Sequence, residues 1–469
     1  MKRLVIYFHY DPQGVVDLPC RYAVEAMLPF GRTIFVTNGT LEPESRAWAE
    51  QSGAVLQERQ NRGFDVGAYR DALLAVGRVQ LARYDELILM NYTLAGPVFS
   101  LETMFQEMES RRNLAFWGLS RHYAMRSKRF GGRVPEHLQS HFLAVRAELF
   151  CKDVFWKYWQ DMPLPRSYEE SIIHHETRFT PYFAKQGFAW DSYLNTEDLK
   201  PVFVNPIMAC PRELIQHRGC PFFKRRSFFT PYEDELRRTD GNAAAELQTY
   251  LSSATRYPVD ALLRALLRTQ PLSALYKNLH WRYVIPDDTQ QELPDLSREG
   301  LRLVCPPPLA ADAVTQWYWQ QSRQWAQDHL AQAVELFRQY PMLGVLCPEL
   351  PAWPEGLQAV QSAWQMRKAS LETEFQVRLE WNPPPAPCAG WALVREAALP
   401  AHMWENAKQP DVWKMPLAAQ QKGYYSATFY AGSQAAAGME QLFAYMRGAQ
   451  RPVTVAKQLA RLAKHRLKH

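Results

Sequence analysis

The chain has 469 residues, 47% hydrophobic and 22% charged, with 54 Lys plus Arg against 48 Asp plus Glu. This balance excludes a disordered chain, a collagen and a small disulfide scaffold, and the length exceeds one ordinary core. The formal charge of +6 is not spread: six cations and no acid lie within residues 450–469, so the remaining 48 cations balance 48 acids across residues 1–449.

The opening MKRLVIYFHYD reads as a strand over Leu4–Phe8 rather than a signal peptide, because His9 and Asp11 soon follow the apolar run. Val16–Leu28 has helical spacing. Thr33–Thr37 is strand-like, Glu42–Gln51 helical, and Val55–Leu56 opens a short strand leading into NRGFDVGAY. Ala68–Val76 is helical, and Glu86–Asn91 is a fourth strand. Strands alternating with helices over short connections predict a mostly parallel sheet covered on both faces. Ligands of such sheets bind beyond the carboxyl ends of the strands. Those ends are His9–Asp11, Asn38–Thr40, Asn61–Asp65 and Asn91–Thr93, all polar, which predicts a polar cleft there.

Tyr232–Leu279 is helical in pattern, Pro286–Gly300 reads as a linker, and a second apolar block follows from Leu301. That block repeats part of the first. Leu101–Ser120 resembles Leu330–Glu349, Gln139–Leu149 resembles Cys388–Leu399, and Glu176–Tyr193 resembles Val412–Phe429, in the same order. The second copy has no partner for NRGFDVGAY. The expected division is therefore a ligand-binding α/β domain over 1–230, a helical connection and linker over 231–300, a degenerate repeat over 301–449 and a tail over 450–469. Seven widely spaced cysteines without a CxxC argue against structural zinc or disulfides and for a reducing compartment. No run of eighteen apolar residues occurs.

In NRGFDVGAYRDAL, glycines bracket Asp65 ahead of a helix. They let backbone approach a ligand, and Asp65 is placed either to cap the helix or to contact a nucleotide. Neither a P-loop nor a GxGxxG spacing is present. At the end of the fourth strand, Asn91, Tyr92 and Thr93 hold no carboxylate. A divalent metal such as Mg or Mn is therefore disfavoured, since hard cations prefer charged oxygens. Lys224, Arg225 and Arg226 lie among aromatics in CPFFKRRSFF, where cations can stabilise a departing diphosphate without a metal. Glu176 is the candidate base for an acceptor hydroxyl, with His174 or His175 tuning it and Glu169 and Glu170 as rivals. Trp117, His122, His137 and Gln139 are candidate sugar contacts. The tail places Val455, Leu459, Leu462 and Ala463 on one side at helical spacing with cations around them, which suits an anionic membrane surface. An RNA-binding arm or a solvated terminus also fits that pattern.

Taken in order, VTNGT, NRGFDVGAY, LILMN, WGLS, HLQSHFLAV, ETRFTPYFAKQGF and CPFFKRRSFF resemble the rhamnan synthesis protein F family, over about residues 1–230. The resemblance implies a GT-A-like (Rossmann-like) α/β fold with a second, smaller and degenerate GT-A-like domain. It implies a glycosyltransferase of cell-surface polysaccharide (rhamnan, O-antigen or capsule), a dTDP-rhamnose donor and a lipid-linked glycan acceptor. Asn38, Asn61, Gly63 and Asp65 would line the nucleotide pocket, with Asp11 at the neighbouring strand end. Asn91 and Thr93 would fall at the diphosphate, and Lys224 would meet phosphate, with Arg225 beside it. Family members usually show Asn-Asp-Ser where this chain has Asn91-Tyr92-Thr93. The expectation is a rhamnosyltransferase on the cytoplasmic face of the membrane that binds no nucleic acid. The competing class is a non-catalytic glycan-binding or scaffolding subunit.

Overall fold

The computed structural model describes residues 1–285, 294–306, 313–349, 354–388, 390–405 and 411–431. The basic tail lies outside the described residues, as do 286–293 of the expected linker. Two compact units divide the chain: Met1–Ser227 with Arg238–Leu262, and Phe228–Arg237 with Leu263–His469. The helical stretch after Pro231 is thus shared between the units.

The first unit is built on seven strands: β1 (Arg3–Tyr10), β2 (Arg32–Asn38), β3 (Val55–Arg59), β4 (Glu86–Asn91), β5 (Phe116–Gly118), β6 (Phe142–Arg146) and β7 (Trp190–Ser192). Their order is β7-β5-β6-β4-β1-β2-β3. β3, β2, β1 and β4 run parallel, and β6 runs against both β4 and β5. β7 returns parallel to β5. This is the expected mixed α/β architecture with a mostly parallel sheet. β1 and β4 are buried along nearly their whole length, as strands covered on both faces must be, which explains their continuous apolar runs.

The helix Leu18–Met27 starts where the Asp17 carboxylate accepts from the Cys20 amide and Pro19 occupies the first turn. The helix Phe64–Leu81 starts from Gly63 at φ 74°. A β-carbon there would meet Leu164 Cδ2 at 2.9 Å and Gly67 Cα at 3.1 Å, so only glycine fits without displacement. Gly77, at φ 70°, interrupts this helix immediately after Val76, where the periodic pattern ends.

The second unit carries β8 (Arg282–Ile285), β9 (Leu301–Val304), β10 (Leu343–Pro348), β11 (Ala392–Arg395) and β12 (Tyr425–Ala431), ordered β8-β12-β10-β11-β9. β11 runs against β10 and β9, while β12 is parallel to β10 and β8. The stretches that resemble each other in sequence occupy the same places in the two sheets. Phe116 and Trp117 face Val145 and Ala144; Val345 and Leu346 face Val394 and Leu393. Arg146 donates to the carbonyls of Leu114 and Met108, and Arg395 donates to those of Leu343 and Phe337 at matching positions. The position matching Glu176 is Val412, so the second sheet lacks that carboxylate.

Candidate functional site

The carboxyl edge of the first sheet collects a polar centre between β4, β6 and the segments that cross beyond them. The short strand Phe223–Lys224 pairs antiparallel with Leu94–Ala95, just past β4, and this pairing brings Lys224 onto Thr93. Lys224 Nζ donates to Thr93 Oγ1 at 3.1 Å, and Thr93 Oγ1 donates to Asn91 Oδ1 at 2.5 Å. Asn91 Nδ2 donates to Asp65 Oδ2 at 3.0 Å. Ser140 Oγ lies 3.4 Å from the same Asp65 oxygen and 2.8 Å from Glu176 Oε2, to which the Ser140 amide also donates at 3.1 Å. His137 Nε2 faces the other Glu176 oxygen at 3.7 Å. One polar chain thus runs from Lys224 to Glu176 and His137. It joins residues that lie 131 positions apart at the Lys224–Thr93 step.

A hydroxyl carries one proton. The shorter contact directs the Ser140 proton to Glu176, which leaves the 3.4 Å approach to Asp65 as the weaker link of the chain. Burial and the nearby Glu176 charge raise the Asp65 pKa, against the Val66 amide, Asn91 and Lys224. Burial alone would raise Glu176 too, but His137, Lys224 and Ser140 outweigh it and hold its carboxyl well below the usual range. Burial pushes Lys224 down to about 8, against the pull of Glu176 and Asp65. Two carboxylates whose pKa values are driven apart beside a desolvated cation can divide acid and base roles between them.

Asn38 and Asn61 meet at 3.2 Å beside β2, and Arg59 Nη1 donates to Asn38 Oδ1 at 2.5 Å while binding Asp71. Asp11 spends one oxygen on the amides of Gln13 and Val15, which shapes the turn after β1. His122 stacks on His137 with ring centroids 5.1 Å apart. Gln139 is buried, accepting from Ser120 at 2.8 Å and reaching Asn205 at 3.4 Å.

Three expectations are corrected. Trp117 is no sugar contact: it is fully buried in β5, and its indole N–H donates to Glu86 Oε1 at 2.8 Å. Arg225 does not line a donor: its guanidinium turns inward onto Asp17, 2.5 Å away, inside the fold. The histidine that faces the Glu176 carboxylate is His137 rather than the expected His174 or His175, and the His175 ring is buried and bonded to the Tyr158 hydroxyl at 2.9 Å. The rivals are engaged elsewhere, Glu169 with Arg129 and Glu170 with the Arg166 amide. Ser140 and Ser171 carried no signal of their own. Ser171 Oγ donates to Asp65 Oδ1 at 3.3 Å.

The donor set does not fit a divalent ion. Asp65 already receives the Val66 amide, Ser171 and Asn91, and Lys224 brings its own positive charge to the end of β4. A hard cation would have to displace these donors.

The profile of the family described as rhamnan synthesis protein F matches residues 33–303, more than half of the chain. An uncharacterized protein of Sinorhizobium fredii, y4gN, is 23% identical over 287 residues, spanning 60% of this chain and 72% of its own. Among solved structures, similarity is found to a cytidylyltransferase of Leptospira borgpetersenii (15% identity, 42% of this chain and 77% of that one, TM-score 0.25). It is also found to glucosyl-3-phosphoglycerate synthase of Mycobacterium tuberculosis with Mn2+ and UDP-glucose (12%, 47% and 79%, TM-score 0.26). Core-mannan synthase A of Aspergillus fumigatus in its Mn/GDP form follows (11%, 40% and 72%, TM-score 0.23).

Proposed function

This chain belongs to the rhamnan synthesis protein F family, and on that footing we propose that it is a polysaccharide glycosyltransferase whose centre is the chain from Lys224 to Glu176. The donor is a nucleotide-diphosphate sugar lying across the carboxyl edge of the first sheet. The family name favours a rhamnosyl donor such as dTDP-rhamnose and a growing cell-surface glycan on a lipid carrier. The acceptor hydroxyl oxygen attacks the anomeric carbon as the bond to the diphosphate breaks, and the electron pair leaves with the diphosphate. Lys224 neutralises that developing charge. Glu176 Oε1, the oxygen turned away from Ser140, takes the hydroxyl proton. Ser140 holds Glu176 in place, and His137, Lys224 and Ser140 keep it anionic. Asn38 and Asn61 lie on the nucleotide side, and the stacked His122 and His137 on the sugar side.

The observation that carries this reading is the single hydrogen-bonded path that unites a desolvated lysine with a half-buried carboxylate at the strand ends. A mass-detected screen of nucleotide sugars against a glycan acceptor tests it. Glu176→Gln is expected to lower the transfer rate by about 10²- to 10⁴-fold while leaving nucleotide-diphosphate affinity unchanged. Equal rates for wild type and variant would remove Glu176 from the reaction. Tyr92, which stands where family members usually carry an acid, favours the second reading of a non-catalytic glycan-binding subunit. Calorimetry that detects no nucleotide-diphosphate binding would support that subunit instead.

A further inference from the structure

Residues 124–135, AMRSKRFGGRVP, hold Arg126, Lys128, Arg129 and Arg133 and no acid, in a body whose first 449 residues balance at zero. They form an antiparallel hairpin, Met125–Ser127 with Gly132–Val134. Gly131 and Gly132 take positive φ at the turn. Register places Arg126 directly opposite Arg133. Like charges facing across a strand pair are destabilising, and an aqueous hairpin gains nothing from the arrangement. Arg126, Lys128 and Arg133 are exposed and make no ion pair among the described residues. Arg129 alone is paired, with Glu169 at 2.6 Å, and its guanidinium also lies 5.4 Å from the Phe130 ring.

Glu169 opens a path back to the centre. It shares the short helix Tyr168–Ser171 with Ser171, which bonds Asp65. Arg129 and Arg226 both lie over the Tyr168 ring, at 5.9 and 5.7 Å.

We propose that this hairpin is a docking surface for the phosphate headgroups of an anionic bilayer, which relieves the Arg126–Arg133 repulsion and turns the candidate site toward the membrane. The cations are spread along both strands and the tip rather than converging on one point. That spread matches a plane of headgroups better than one bound phosphate. Phe130 at the tip supplies an apolar side chain of the kind that surface-bound segments bury at the headgroup boundary. The inference concerns a surface outside the transfer chemistry, and its test involves no sugar transfer.

The test is co-flotation of the full chain with vesicles of phosphatidylglycerol and phosphatidylcholine in equal parts, beside vesicles of phosphatidylcholine alone. Each basic residue near an anionic surface contributes a factor of about five, so Arg126→Gln with Arg133→Gln is expected to weaken partitioning about thirtyfold. Arg126→Lys with Arg133→Lys is expected to retain it. Thermal unfolding of the Gln pair in solution is expected at an equal or higher temperature, since a repulsion is removed. Unchanged partitioning of the Gln pair would overturn the proposal, whatever the tail contributes to both proteins. Loss of calorimetric pyrophosphate binding with partitioning unchanged would also overturn it, assigning the hairpin to a free phosphate instead.

Discussion

Replacing Lys224 by Met separates the energetics of folding from those of binding. Burial lowers the lysine from 10.5 to about 8 in the folded protein. The folded state therefore holds fewer protons than the unfolded chain between those values, and wild-type stability from this group rises with pH across that window. The full depression corresponds to about 3 kcal/mol of cost at pH 7, of which about 1 kcal/mol is relieved by pH 9. Lys224→Met removes the buried charge, so the variant is expected to be as stable as wild type or more stable at pH 7. The Coulombic support lost by Glu176 and Asp65 offsets part of the gain. The wild type is expected to close the gap as pH rises toward 9. Nucleotide-diphosphate affinity should move the other way, since a charge-assisted hydrogen bond is worth about 1.5–3 kcal/mol, or about 10- to 100-fold. Urea unfolding at pH 7 and 9, with calorimetry of a nucleotide diphosphate, reads both effects. A variant that loses stability at pH 7 and binds normally would refute the reasoning, because Lys224 would then be a structural cation.

Two further substitutions separate interior residues from the site. Arg225→Met strands the Asp17 carboxylate inside the fold, which should cost about 3–5 kcal/mol in chemical unfolding. Nucleotide affinity of the folded protein should be unaffected; a selective loss of affinity would return Arg225 to the donor pocket. Trp117→Phe removes the indole donor to Glu86, a carboxylate that also holds Arg3 and Arg146, and leaves space in the β5 layer. The expected cost is about 2–4 kcal/mol, with no change in acceptor KM; a raised KM at unchanged stability would contradict the burial of Trp117.

Local chemistry was legible in the residue order. The apolar runs of β1, β2 and β4 are buried-strand signals. Gly63 marks a positive φ that a β-carbon would not tolerate, and the polar strand ends announce where a sheet of this kind presents its ligand face. The internal resemblance between halves was also readable, and the matching registers of β5 with β6 and β10 with β11 repeat it in space. The directions of neighbouring side chains were not readable. Lys224, Arg225 and Arg226 are adjacent and alike in charge, yet Lys224 joins Thr93, Arg225 joins Asp17, and Arg226 joins Tyr168. Those partners lie 131, 208 and 58 positions away. Trp117 and the two serines repeat the lesson. A residue type states what a side chain can bond, whereas burial and long-range pairing decide whether it meets a ligand, another side chain or the interior. The sequence by itself determined the sheet, its polar carboxyl edge and the family. Only the tertiary structure selected Lys224, Asp65, Ser140 and Glu176 as one centre, because their contact depends on chain crossings that no local pattern records.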